Sequence, residues 1–371
     1  MSAIIIACIL EYSLCSQVKK KPLIIISLLL LCNTFLSAQT SSFSYVFKNK
    51  KEGYNVYRIP AIIKTKSGKL LAFCEGRKNL FDGGNIDMVM KSSDDNGLTW
   101  SKLKVIWNDG ENTCGNPSPV VDKVTGNIIL LGTLNNDKVF VLTSKDEGAT
   151  WDTPRDITKE VKPENWQWYA SGPVHAIQMQ NAVYKDRIVV PCNHTVKGTG
   201  KHTSHIIYSD DKGISWKTGG SVADDKTDEC TVAELSDGRL LLNMRNNDKS
   251  TPNRKISYSN DGGLSWSPVT FDSTLIEPVC QGALLRYSLN PNILLFVNPH
   301  HKKQRKQLTL YISYDEGKTW KDKTVIFKSK AAYNDMVVLE NGDIVCVFET
   351  GKVLPYSGIV FKIITSSVIQ K

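Results

Sequence analysis

Ser93-Asp94-Asp95-Asn96-Gly97-Leu98-Thr99-Trp100 is the first of five copies of one phrase, Ser-x-Asp-x-Gly-x-Thr/Ser-Trp. The others are Ser144-Asp146-Gly148-Thr150-Trp151, Ser209-Asp211-Gly213-Ser215-Trp216, Ser259-Asp261-Gly263-Ser265-Trp266 and Ser313-Asp315-Gly317-Thr319-Trp320, and successive copies start 50 to 65 residues apart. A period of that size is the mark of a repeat architecture, in which each repeat is one supersecondary unit. Each copy reads as a tight hairpin turn. The Asp side chain bonds nearby backbone N–H groups, Gly supplies a positive φ, and the Trp is expected to pack the turn against its own blade.

Between the turns runs a second repeat: a short β-branched strand, a polar Gly/Asn/Asp turn, and an apolar strand. The first strands are expected near 59–65, 117–122, 175–179, 231–235, 282–287 and 336–340, and their partners near 70–74, 128–134, 188–192, 240–244, 293–297 and 344–348. Six such hairpins, five followed by a turn phrase, predict an all-β fold: a six-bladed β-propeller of four-stranded antiparallel blades. Residues 43–47 are expected to supply a strand to the last blade and close the ring.

The propeller occupies 39–371. Residues 1–38 read as a leader: Lys19-Lys20-Lys21 precede an apolar run at 23–31, and Ser37-Ala38 before Gln39 resembles a cleavage site. The apolar run is too short to favour a membrane span. These features predict an exported protein, periplasmic or extracellular, with residues 1–18 upstream of a complete signal. The formal charge is +9. It is spread without a dense basic stripe, which argues against a nucleic acid partner and is compatible with an anionic substrate. Six cysteines lie beyond the leader, several inside apolar runs, and read as buried thiols. No Cys or His cluster indicates a metal, and no cofactor is expected.

Topology then separates two ends of the ring. The turn phrases join third to fourth strands and fall at one end, where their Asp residues are structural. First-strand starts, second-strand ends and second-to-third loops fall at the other. There the sequence places Arg58, Asn116, Glu229 and Tyr333 at strand starts, Arg77, Arg245 and Glu349 at strand ends, and Asp82 and Arg305 in loops.

With these residues in view, the chain resembles bacterial exo-sialidases with Asp-box repeats. The resemblance rests on Tyr57-Arg58-Ile59-Pro60, Gly76-Arg77 with Asp82-Gly83-Gly84, Glu229-Cys230 through Asn243-Met244-Arg245, and Ala332-Tyr333, together with the five turn phrases. It implies that Arg58, Arg245 and Arg305 clamp a sialic acid carboxylate, with Glu349 orienting Arg58. Guanidinium is suited to this task, since it offers planar charge-assisted donors and stays charged. It further implies Tyr333 as nucleophile, Glu229 as its base partner and Asp82 as acid/base, with Arg77 and Asn116 contacting ring hydroxyls. Glycosidases of this kind depart from the usual carboxylate pair by using a tyrosine. A carboxylate nucleophile would approach the substrate's own carboxylate at a Coulomb cost, whereas a neutral phenol needs only a nearby base.

The expected activity is hydrolysis of terminal α-linked sialic acid with retention, on glycoproteins, glycolipids or oligosaccharides, by a monomer. Two alternatives stay open: a trans-sialidase, intermolecular or intramolecular, and a sialic-acid-binding propeller without catalysis. Asp87 competes with Asp82 for the acid/base role. Val174 and His175 replace small residues of the family pattern and are expected at the edge of the substrate site. Trp166, Trp168 and Tyr169 suit either a platform for the leaving group or the core between blades.

Overall fold

The computed structural model describes residues 43–369 other than 181. The expected leader, residues 1–38, lies outside the described residues. The described chain is almost wholly β and is arranged as a propeller. Four sheets follow in chain order. The first contains Val56–Lys64, Leu70–Arg77, Ile86–Ser93 and Lys104–Trp107. The second contains Cys114–Val121, Ile128–Leu134, Lys138–Ser144 and Arg155–Asp156. The third contains Trp166–Ser171, Ile188–Val196, His202–Ser209 and Lys217–Ser221, with Ile177–Gln178 also on Ile188–Val196. The fourth contains Thr227–Glu234, Leu240–Asn246, Asn253–Ser259 and Thr270–Ile276.

The rest of the ring is one seven-stranded sheet. Its middle strand, Asp322–Val338, is 17 residues long. The first half pairs with Lys306–Ser313 and the second half with Ile344–Thr350. Six blades were expected; the hydrogen-bonded sheets among the described residues number five, because that long strand joins what would be two four-stranded units into one sheet. Ser44–Lys48 pairs antiparallel with Gly358–Ile364, so the chain start completes the last unit as expected.

The core lies between neighbouring units. Ala61, Phe73 and Met88 of the first sheet pack on Cys114, Leu130 and Leu142 of the second. Val120, Ile129 and Leu131 pack on Tyr169, Val190 and Ile207 of the third. Phe47, Val345, Val347 and Ile359 of the last unit meet Tyr57, Ile62 and Val89 of the first. Burying such side chains stabilises by about 1.5–3 kcal/mol each. The six cysteines at Cys74, Cys114, Cys192, Cys230, Cys280 and Cys346 are buried, unpaired thiols.

The five turn phrases share one set of bonds. In the first, Gly97 N donates to Ser93 Oγ at 2.8 Å, Thr99 N to Asp95 Oδ1 at 2.8 Å and Thr99 Oγ1 to Asp95 Oδ2 at 2.5 Å. Their tryptophans correct one expectation. Trp100 packs on Phe361 and Trp151 on Phe73, each in the unit that precedes its own around the ring. Trp320 Nε1 likewise donates to Asp272 Oδ2 of the fourth sheet. The turn projects over the neighbouring sheet's edge, and Gly97 permits the approach: at φ 91°, an added Cβ would lie 2.7 Å from Phe361.

The first strand of the third unit is also corrected. It was expected near 175–179, but the main segment is Trp166–Ser171, with only Ile177–Gln178 continuing it. Pro173 has no N–H to give the ladder, which breaks the strand between the two.

Candidate functional site

Strand register separates the two ends of the ring as the topology requires. In the first sheet Leu70 pairs with Ser93 at the turn-phrase end, and Arg77 pairs with Ile86 at the other. At that second end a cleft of about 420 Å³ opens. It is lined by Arg58, Arg77, Asp82, Asn116, Glu229, Arg245, Arg305 and Tyr333, with Glu349 buried beneath.

Innermost strands reach this cleft through bulges. Register shifts fall between Arg58 and Ala61, Gly115 and Ser118, Thr227 and Cys230, and Ala331 and Asn334. Three of them enclose a predicted site residue, Asn116, Glu229 or Tyr333, and Arg58 stands at the edge of the other. A bulge leaves one residue out of the ladder and re-aims its side chain. Two bulges hold left-handed residues, Ile59 at φ 62° and Asn116 at φ 58°. For β-branched Ile59 that conformation is strained, and such strain persists only where neighbours hold it. Ile59 N donates to Glu349 Oε1 at 2.9 Å, while Asn116 N donates to Glu75 Oε1 at 2.9 Å.

Three guanidiniums converge on Tyr333. Arg58 Nε donates to Glu349 Oε1 at 2.9 Å and its Nη2 to Oε2 at 3.3 Å. Arg245 Nη1 donates to Glu229 Oε2 at 2.8 Å and to the Tyr333 hydroxyl at 3.2 Å. Arg305 donates to the Val279 carbonyl at 2.9 Å and the Tyr356 hydroxyl at 3.0 Å. Its Cζ lies 5.3 Å from the Tyr333 ring centre, and that of Arg58 lies 5.2 Å away. The buried Nε of Arg245 has no hydrogen-bond partner among the described residues. The arrangement therefore presents concentrated positive charge to an anion.

The Tyr333 hydroxyl donates to Glu229 Oε1 in a short contact. Burial, followed by the Glu229 charge, pushes the phenol's pKa well above its ordinary value, and Arg245 and Arg305 counter this only in part. The unliganded tyrosine is thus neutral, with a carboxylate in place to take its proton.

Asp82 stands across the cleft on an exposed loop, its side chain 79% accessible. Its Oδ1 accepts from Arg77 Nη1 at 2.6 Å and lies 3.5 Å from Arg58 Nη1. Burial tends to raise its pKa, but the Arg77 hydrogen bond and the charges of Arg77, Arg58 and Arg305 outweigh this and hold it below the ordinary carboxylate value. Its competitor Asp87 is buried, accepting from Tyr54 and from Asn108, and does not line the cleft.

Other expectations are corrected. Val174 is fully buried in the core. His175 is held by Asp335, with Nδ1 2.6 Å from Oδ1, and lines a different cavity with Ile62, Gln178 and Met336. Pairing to Asp335, whose other oxygen accepts from Ile62 N and His175 N, ties this segment inward, away from the substrate cleft. Of the three aromatics, only Trp168 lines the cleft. Trp166 stacks on His194 at 3.4 Å between ring centres, and Tyr169 is buried against His205.

Sequence reasoning missed Glu75, Asp228 and Tyr356. Glu75 Oε2 accepts from Arg77 Nε at 2.8 Å and Nη2 at 2.5 Å. A charged residue directly after the apolar run 70–74, two positions before Arg77 and so on its face, was the available signal. Asp228 accepts from Asn193 at 2.5 Å and Asn247 at 2.8 Å, and lies 3.7 Å from Arg245 Nε. Tyr356 comes from the loop after Ile344–Thr350 and carried no motif.

Residues 68–346 match the family model described as a BNR repeat-like domain. The chain is 30% identical over 341 residues to a sialidase of Micromonospora viridifaciens, covering 83% of this chain and 52% of that one. It is 30% identical over 300 residues to a sialidase of Bacteroides fragilis, covering 71% and 54%. The chain thus spans about half the length of these two curated relatives. The solved Hadza microbial sialidase Hz136 superposes with a TM-score of 0.79 at 26% identity, over 88% of this chain and 68% of that one. The leech intramolecular trans-sialidase superposes with a TM-score of 0.77 over 89% and 71%, but at 16% identity that likeness is of fold alone.

Proposed function

Because the chain belongs to the BNR repeat-like family, in which its matched relatives are sialidases, we propose that it is an exo-α-sialidase. The observation that carries this reading is the neutral Tyr333 bonded to Glu229 beneath three arginines, with Asp82 across the cleft. The arginines take the sialic acid carboxylate. Each charge-assisted bond contributes on the order of 1.5–3 kcal/mol. This places the anomeric carbon over the Tyr333 oxygen.

Asp82 gives its proton to the glycosidic oxygen as that bond breaks. Tyr333 forms the new bond to the anomeric carbon while its proton passes to Glu229. Asp82, now ionised, takes a proton from water, which attacks the anomeric carbon and breaks the bond to Tyr333. Glu229 returns the proton to the phenolate. Two displacements give net retention. Because Asp82 is ionised in the free protein, the substrate carboxylate has a second effect: by neutralising the arginine field it favours the protonated Asp82 that the first step needs.

The substrates in this reading are terminal sialosides of glycoproteins, glycolipids or oligosaccharides. The leader supports export. The test is release of sialic acid from a fluorogenic α-sialoside by residues 39–371 and by Tyr333→Phe, with product stereochemistry followed by NMR. Release first as the α-anomer, lost in the variant, is expected. Full activity in Tyr333→Phe would overturn the nucleophile, and a 2,7-anhydro product would move the reading to intramolecular transfer.

A further inference from the structure

The three clamp arginines are not equivalent. Arg58 is paired with Glu349 and Arg245 with Glu229. Arg305 makes no ion pair among the described residues, and its guanidinium rests on two neutral oxygens, the Val279 carbonyl and the Tyr356 hydroxyl. A half-buried cation without an ion pair of its own is costly to hold unless a ligand supplies an anion. Arg305 is therefore the guanidinium whose charge is left for the substrate.

Tyr356 touches two of the three. Its hydroxyl accepts from Arg305 Nη1 at 3.0 Å, and its ring lies 4.3 Å from the Arg58 guanidinium carbon. The ring face attracts one cation and the oxygen lone pair holds the other. Two like charges from the first sheet and from the loop before Lys306–Ser313 are so kept at a fixed separation by a single side chain. Since the hydroxyl accepts from Arg305, its own proton remains to be given, and no acceptor for it is present among the described residues. Tyr356 also lines the cleft. Its loop is anchored at the same point, because Asn49 Nδ2 donates to the Tyr356 carbonyl at 2.7 Å.

We propose that Tyr356 is a carboxylate-recognising and positioning residue: it spaces Arg58 and Arg305 and donates its hydroxyl proton to one oxygen of the substrate carboxylate. This rests on the sialidase reading. The carboxylate stays anionic from bound substrate to transition state, so the contact is made equally in both. Its loss therefore falls on KM rather than kcat.

Tyr356→Phe keeps the ring under Arg58 and removes only the hydroxyl. Tyr356→Leu removes both contacts. The measurements are kcat and KM on the fluorogenic sialoside, and binding of the 2,3-didehydro analogue of sialic acid as free acid and as methyl ester. For Tyr356→Phe, KM and the free-acid dissociation constant should each rise about tenfold or more, the loss of one charge-assisted bond, with kcat changed less than about twofold. Binding of the ester should not change, so discrimination between acid and ester should fall. Tyr356→Leu should lose more, since Arg58 is freed as well. Equal weakening of acid and ester, a fall in kcat alone, or an unchanged Tyr356→Phe would overturn the proposal while leaving the function standing. If the parent binds neither acid nor ester and releases no sialic acid, the functional reading fails, and this proposal with it.

Discussion

Arg77 sits between two carboxylates of opposite duty. Glu75 is buried and fixes the guanidinium, while Asp82 is exposed and, with the Phe81 carbonyl, accepts from Nη1. Because Arg77 favours the ionised form, its removal raises the Asp82 pKa. The activity that depends on protonated Asp82 is lost on the alkaline side of the pH profile, so that limb must move to higher pH. For Arg77→Gln the limb is expected to move upward, damped by the solvent around Asp82, on top of a lower kcat/KM throughout. A limb that stays in place would mean that Asp82 is not the group it reports. These contacts also show what was legible in the residues. Arg58, Arg245, Glu229 and Tyr333 stand in short motifs beside strand boundaries, so topology and chemistry pointed the same way. Asp228 was hidden because an ideal strand would place it on the opposite face from Glu229. The bulge between Thr227 and Cys230 brings both to Arg245, and no local pattern announces a bulge.

At the level of elements, the turn phrases are fasteners between units rather than chemistry. Hydrogen bonds from the Thr99 hydroxyl, then from Thr99 N and Ser93, bring the Asp95 pKa to about 2, and the same bonds from Thr150 and Ser144 bring Asp146 to about 2. A carboxyl whose folded pKa is depressed stabilises the fold above its unfolded value, and that contribution is lost as pH falls through the folded value. Asp146→Ala should therefore lower Tm by a few degrees at pH 7, and the gap to the parent should narrow as pH drops from about 4 toward 2. KM at a permissive temperature should not change, since the turn lies at the far end of the strands from Arg77 and Asn116. A raised KM, or a gap constant with pH, would contradict this assignment. The strands themselves were readable where apolar runs met Gly or Asn turns, as at Leu70–Arg77 and Ile128–Leu134. They were not where tertiary pairing overrode the pattern. Trp166–Ser171 contains Gln167 and two tryptophans, and it is a strand because Tyr169, Ala170 and Ser171 find His194, Asn193 and Cys192 across the ladder.

In the whole molecule, ring closure and the anion clamp are one problem. The repeat made a closed propeller legible from the sequence, and the pairing of chain start to chain end followed from it. The continuous strand Asp322–Val338 was not legible, because nothing marks the residue at which one unit hands over to the next. Closure depends on Ser44–Lys48, which adds Val46 and Phe47, both buried, to the cluster between last and first units. Their burial stabilises by about 3–6 kcal/mol together, on the usual scale for such side chains. The same seam carries the bond from Arg58 of the first sheet to Glu349 of the last. Loosening the seam should therefore act on substrate affinity as well as on stability. A chain beginning at Asn49 keeps Asn49 and its bonds to Tyr57 and Tyr356 but lacks the closing strand. Compared with residues 39–371, it should unfold at a markedly lower urea concentration and show a raised KM. A peptide spanning 40–48 added in trans should restore both, by supplying the missing edge and covering the exposed apolar seam. An unchanged KM in a destabilised chain would mean that Glu349 holds Arg58 without help from the closed ring, and that affinity is set within the cleft alone.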